Sequence, residues 1–114
     1  MMMEAQRLDR MFVALADAGR RDMVERLSRG PATVKQLADP RGMGLPSALK
    51  HLRVLEDGGI VASRKVGRIR TYSMLPDAFR DMDEWVRARK TAMNAAFDRL
   101  AQAMTALPEE DDQE

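Results

Sequence analysis

The sequence predicts a mainly helical α+β fold, in which five helices accompany one two-stranded β-hairpin. Three observations predict it. Apolar residues recur every three or four positions over most of the 114 residues. The period changes to two only between residues 60 and 74. Aromatic residues make up only 4% of the chain, so leucine, valine, alanine and ten methionines must fill the core, which favours packed helices over a β-sandwich.

The first three predicted helices are short, and capping residues mark two of their starts. The first helix covers about residues 4–16, where apolar side chains fall at helical spacing. Asp17 is a favourable N-cap for a second helix over about residues 18–28. Thr33 caps a third helix over residues 34–38, and a glycine-rich turn separates it from the next helix.

The fourth predicted helix covers residues 45–57, with Pro46 in its first turn and Gly58-Gly59 as its C-terminal stop. At 100° per residue, one side collects apolar residues that we expect to face the core: Leu45, Ala48, Leu49, Leu52 and Leu55. The other side carries the residues expected to face outward: Ser47, Lys50, His51 and Val54, with Pro46 and Arg53 beside them.

The β-hairpin is predicted from residues 60–66 and 69–74, which alternate in polarity. Gly67-Arg68 forms the tight turn, with Gly67 expected at positive φ. Arginine side chains crowd the tip of this hairpin. Charged residues on such a hairpin also protect exposed sheet edges, so their presence alone does not establish binding.

A long fifth helix is predicted from Pro76-Asp77 to about Leu107. Its apolar stripe consists of Phe79, Met82, Val86, Met93, Leu100 and Leu107, widened by Ala96, Phe97 and Met104. About 30 residues span roughly 45 Å, more than the diameter of a compact domain of this size. We therefore expect a homodimer interface rather than a helix packed only on its own core, with these residues in it: Leu8, Met11, Phe12, Met82, Val86, Met93, Phe97, Leu100 and Met104.

Charge is unevenly distributed along the chain. We expect one domain over residues 1–107 and an acidic disordered tail over residues 108–114, which holds five acids and no base. The net charge of +1 therefore hides +6 on the rest of the chain, and residues 41–72 alone carry +5. A basic region beside an acidic tail is compatible with a solvated surface, and it is also typical of proteins that bind nucleic acid.

The order of these elements predicts a winged helix-turn-helix. A helix that enters the major groove needs short or hydrogen-bonding side chains near its N-terminal end. A basic hairpin, called the wing and predicted here at residues 60–74, neutralises phosphates and supplies affinity for any DNA sequence. The predicted DNA-binding residues are Pro46, Ser47, Lys50, His51, Arg53, Arg64, Lys65, Arg68 and Arg70. For His51 a hydrogen bond to phosphate or to a neighbouring backbone is preferred over a metal ligand.

The chain resembles the ArsR-type bacterial repressors, in the branch without metal-binding cysteines. The matching stretches are LADAGRRDMVERL at 15–27, ATVKQLA at 32–38, LPSALKHLRVLEDGGIV at 45–61 and RKVGRIRTY at 64–72. The resemblance covers about residues 8–100. It implies a homodimer that pairs its first and fifth helices, binds an inverted repeat of double-stranded DNA and represses by blocking RNA polymerase.

The chain departs from the family pattern in two respects. Metal-sensing members carry Cys-x-Cys on the third helix or His and Asp on the last helix, whereas this chain has no Cys and no His on its last helix. We therefore expect no metal and no cofactor. Many members also carry Ser at the position of Leu49, so the family's operator preference does not transfer to this chain.

Several other function classes are disfavoured by the sequence. It shows no glycine-rich phosphate loop, no nucleophile–base pair and no recognisable carboxylate pair, so an enzyme is not expected. Neither a membrane span nor a signal peptide is apparent, and we expect a cytoplasmic protein. The alternative to DNA binding is a protein-interaction or dimerisation module whose basic wing binds an acidic partner.

Overall fold

Five α-helices and three β-strands follow one another in the computed structural model, which describes residues 2–106. The elements in chain order are α1 (Met2–Leu15), α2 (Ala18–Leu27), β1 (Ala32–Thr33), α3 (Val34–Ala38), a 3₁₀ turn (Asp39–Arg41), α4 (Leu45–Asp57), β2 (Val61–Val66), β3 (Ile69–Met74) and α5 (Arg80–Ala106). The predicted α+β class is confirmed. The expected acidic tail lies outside the described residues.

The described residues form two compact units, one ending at Asp81 and the other beginning at Met82. The first unit holds α1 to α4 and the sheet, together with the first two residues of α5. The second unit is the remainder of α5. All of the predicted DNA-binding residues belong to the first unit.

Side-chain caps fix the starts of α2 and α3, as the sequence predicts. The carboxylate of Asp17 accepts a hydrogen bond from the backbone N–H of Arg20 at 3.0 Å. This hydrogen bond is the main reason why the pKa of Asp17 lies below its ordinary value. Thr33 and Gln36 form a reciprocal capping box at the start of α3. Because each cap satisfies otherwise unpaired N–H groups, these boundaries are set locally.

The sheet has one strand more than the predicted hairpin. The strands β2 and β3 pair as expected around Gly67, whose φ is 63°. The two-residue strand β1 adds to the other edge of β3, where Ala32 pairs with Tyr72 and Thr33 with Thr71. A strand this short has no measurable alternation of polarity, which is why sequence periodicity did not reveal it.

The core of the first unit is made by one side of α4 packing on the surrounding elements. Ala48, Leu52 and Leu55 are fully buried, and α4 contacts α1, α2, α3 and β2. The expected burial of Leu45 and Leu49 is wrong, because these side chains are 51% and 46% exposed. At 100° per residue Leu49 lies about a quarter turn from Ala48, beyond the edge of the buried side.

The start of α5 also differs from the prediction. The helix begins at Arg80, and the preceding residues form a turn in which Ala78 N donates to Leu75 O at 3.1 Å. The expected start at Pro76-Asp77 is therefore four residues early. Proline suits a turn as well as the first turn of a helix, so it does not distinguish these two possibilities.

Candidate nucleic-acid interface

The outward side of α4 presents an exposed polar and basic surface. Pro46, Ser47, Lys50 and Arg53 are all exposed, as the sequence predicts. No acidic residue occurs between Leu45 and Leu55. The N-terminal half of α4 is therefore free to approach an anionic surface without like-charge repulsion.

His51 behaves differently from its neighbours on α4. Its side chain is half-buried, and Nδ1 lies 3.3 Å from a guanidinium nitrogen of Arg20 and 3.8 Å from a carboxylate oxygen of Asp17. Its Nε2 lies 3.6 Å from where a Cβ on Gly19 would be. Both ring nitrogens therefore lie against the start of α2. The structure gives His51 an intramolecular partner and brings it together with residues that the sequence analysis did not associate with it.

The wing hairpin distributes its basic side chains over both of its faces. Lys65 pairs with Arg70 across the strands, and alternation places both on the face that carries the buried Tyr72. Arg64 points to the opposite face, which also carries the exposed side chains of Val66 and Ile69. Arg68 lies in the turn. The four predicted wing cations are thus exposed, but they do not form one row.

A hydrogen-bonded chain connects the wing to the end of α4. The guanidinium group of Arg70 donates to the Ser63 hydroxyl at 2.8 Å, and that hydroxyl donates to the carboxylate of Glu56 at 3.2 Å. Glu56 lies on α4, Ser63 on β2 and Arg70 on β3. The side chain of Arg70 is therefore held in place beside the helix rather than extended freely into solvent. Neither Ser63 nor Glu56 was identified from the sequence, because no local pattern connects them.

The residues predicted for a dimer interface fall into three groups. Met11 is buried in the core of the first unit, and Leu8 is half-buried, whereas Phe12 is 41% exposed. In the second unit Met82 and Val86 are half-buried. The exposed group lies further along α5 and consists of Met93, Phe97, Leu100 and Met104.

The described residues offer neither a metal site nor a membrane span. Between residues 2 and 106, no three His, Asp or Glu side chains are close enough together to hold a metal ion. In the same range no helix combines the length and the apolar character that a membrane span needs.

Comparison with known proteins identifies relatives of this arrangement. Residues 15–64 match a family model described as a helix-turn-helix domain. The chain is 39% identical over 85 residues to the HTH-type transcriptional regulator Rv2034 of Mycobacterium tuberculosis, a match that covers 70% of this chain and 79% of the relative.

Two solved structures share the architecture. The crystal structure of the ArsR family transcriptional regulator RHA00566 has a TM-score of 0.75 and 41% identity, covering 79% of this chain and 93% of the other. The solution structure of the homodimeric winged helix-turn-helix DNA-binding domain of Mb0332 from Mycobacterium bovis has a TM-score of 0.62 and 26% identity. That match covers 79% of this chain and 85% of the other.

Proposed function

The chain belongs to the ArsR-type family of winged helix-turn-helix, DNA-binding transcriptional regulators, and we propose that it acts as a homodimeric repressor at an inverted-repeat operator. We infer that it works in the cytoplasm, as a regulator of bacterial type would. Repression by exclusion of RNA polymerase is the mode of action that membership of this family supports.

One observation carries the proposal. An exposed α4 face with Ser47 and Lys50 belongs to the same unit as a basic wing, and the Glu56–Ser63–Arg70 chain ties the two together. A helix and a hairpin held in this way suit simultaneous contact with a major groove and the neighbouring backbone. We assign base contacts to Ser47 and Lys50.

The remaining cations of the interface receive a different role. Arg53, Arg64, Lys65, Arg68 and Arg70 are assigned to phosphates, because long basic side chains provide affinity without regard to sequence. Pro46 packs close to the DNA at the start of α4. His51 positions α4 through Arg20, and its exposed part is assigned to a phosphate. No metal or cofactor takes part in this proposal.

Homodimerisation is supported by the exposed stripe on α5 and by the homodimeric state of the Mb0332 domain. Met93, Phe97, Leu100 and Met104 follow each other at intervals of four, three and four residues, which is the spacing of paired helices. Two copies of the chain would present two α4 helices to two half-sites. Phe12 on α1, another residue predicted for the interface, is 41% exposed.

The test is fluorescence anisotropy with a duplex selected by the protein and a scrambled duplex, at several salt concentrations. Arg68→Ala should weaken binding to both duplexes and reduce the log–log salt slope by about one. Lys50→Ala should cost about 1–3 kcal/mol on the selected duplex and much less on the scrambled one. Arg29→Ala serves as the control for loss of charge, because it removes an exposed arginine that lies on neither α4 nor the wing.

If Lys50→Ala lowers the affinity for both duplexes equally, Lys50 does not contact bases. If none of the α4 or wing variants affects any DNA, the proposal fails, and the basic wing is then better explained by an acidic protein partner.

A further inference from the structure

The exposed side of α4 contains two leucines that the fold does not bury. Leu45 and Leu49 are 51% and 46% exposed. The other apolar residues on this part of α4, Ala48, Leu52 and Leu55, are fully buried in the core. Single exposed apolar residues are common on protein surfaces and need no explanation by themselves. The exposure of Leu49 matters because the residue lies at the edge of the proposed DNA-binding face.

Helix geometry places Leu49 at the edge of that face, next to Pro46 and Arg53. Residues four apart on a helix lie almost above one another, so Leu45, Leu49 and Arg53 form one ridge along α4. The next ridge consists of Pro46, Lys50 and Val54. Leu49 therefore lies about one turn after Pro46 and one turn before Arg53, and both of these residues are exposed. DNA that contacts Pro46 and Arg53 also comes close to Leu49.

The major groove offers an apolar side chain only one kind of apolar group to pack against. Nearly every group on the base edges there is a hydrogen-bond donor or acceptor, and the exception is the C5 methyl group of thymine. The cations around Leu49 match the phosphates that border the groove. A leucine that entered the groove without an apolar partner would dehydrate polar base edges at a cost in free energy.

We propose that Leu49 packs against the C5 methyl group of a thymine in each half-site and so acts as a base-specificity residue of this protein. The inference rests on the proposed function, because it assumes that α4 enters the major groove. It adds the identity of one base to that function. Lys50, on the neighbouring ridge, supplies the hydrogen-bonding part of the same contact.

The test uses 2′-deoxyuridine, which differs from thymidine only by the missing methyl group. The wild-type protein first selects duplexes from a random-sequence library, and the selected duplex is then made with one thymine at a time replaced by deoxyuridine. Anisotropy titrations compare the wild type with Leu49→Ala, Leu49→Met and Leu45→Ala. Melting temperatures of all four proteins establish that each is folded, and the exposure of both leucines makes large losses unexpected.

At one thymine in each half-site, deoxyuridine should weaken wild-type binding roughly fourfold, which is the transfer free energy of about 0.8 kcal/mol for one methyl-sized group converted to a binding ratio. Leu49→Ala should bind the thymine and uracil duplexes equally at that position. Leu49→Met keeps an apolar side chain and should retain most of the discrimination. Leu45→Ala should retain it fully, because its change lies one turn away.

Two results would overturn the inference while leaving the proposed function intact. One is a wild-type protein that selects a sequence but is indifferent to every thymine-to-uracil change. The other is a uracil effect of the same size in Leu49→Ala. If the wild type selects no sequence at all, sequence-specific binding itself fails, and the inference falls with it.

Discussion

Arg20 joins three helices of the first unit, α1, α2 and α4. Its guanidinium group donates to the carbonyl oxygens of Ala14 at 2.7 Å and Val13 at 3.1 Å, and it lies 3.3 Å from Nδ1 of His51. The last carbonyls of a helix have no partner within the helix, and a cation there also complements the helix dipole. One side chain from α2 thus caps α1 and holds α4 in position.

Replacing Arg20 should therefore have a larger effect than replacing its neighbour. Arg20→Ala removes the side-chain donor to Ala14 O, one of the two donors to Val13 O and the contact with His51, and we expect a loss of about 2 kcal/mol in the free energy of unfolding. Arg21→Ala is the matched control, because it loses only an exposed hydrogen bond to Leu15 O. Urea unfolding followed by circular dichroism measures both changes. Equal effects of the two variants would contradict the capping role of Arg20.

Residue roles of this kind could be predicted from the sequence only where a contact is local. The caps at Asp17 and Thr33 involve residues three positions apart and were predictable. The exposure of Ser47 and Lys50 follows from helical periodicity. In contrast, the partners of His51 and Arg70 come from other elements, so they could not be predicted from sequence spacing.

At the scale of whole elements, local signals predicted α3, α4 and β3 with the bounds that the structure shows. Local signals were insufficient where tertiary packing determines whether an element forms or a side chain is buried. The strand β1 exists because β3 offers it an edge, and Leu49 is exposed because the buried side of α4 is narrower than its apolar sequence suggests. The first difference lies next to the wing, and the second lies at the edge of the proposed DNA-binding face.

The packing of α1 on α4 depends on a glycine at the end of α4. A Cβ on Gly58 would lie 3.0 Å from Cβ of Ala14 and 3.1 Å from the carbonyl oxygen of Arg10. Because the nearest atoms belong to the other helix and its backbone, they cannot move aside without shifting α1. We expect Gly58→Ala to lower the free energy of unfolding by about 1–3 kcal/mol through overpacking.

Gly44→Ala is a suitable comparison for that measurement. Its added methyl group would find only Pro46 Cδ, at the ordinary contact distance of 3.7 Å, so a smaller decrease is expected. Thermal unfolding of both variants gives the difference. A Gly58→Ala protein as stable as the wild type would show that α1 and α4 are not in close contact at this point.

At the scale of the whole molecule, the described part of the second unit, residues 82–106, has no core of its own. The structure assigns no buried residue to α5, and Phe97 and Leu100 on its apolar stripe are 59% and 56% exposed. The 27 residues of α5 extend over about 40 Å. An apolar stripe of this length on an exposed helix marks a surface for association.

We therefore expect the wild-type protein to sediment as a dimer at micromolar concentration and Leu100→Glu to sediment as a monomer, because burial of an unpaired carboxylate in the interface is unfavourable. Gln102→Glu adds the same charge about half a turn away from Leu100 and should stay dimeric. Helical content should be unchanged in both variants, since both positions are exposed. A wild-type monomer at this concentration would refute the dimer. If Leu100→Glu is a monomer and still binds a complete inverted repeat as tightly as the wild type, DNA binding does not depend on dimerisation.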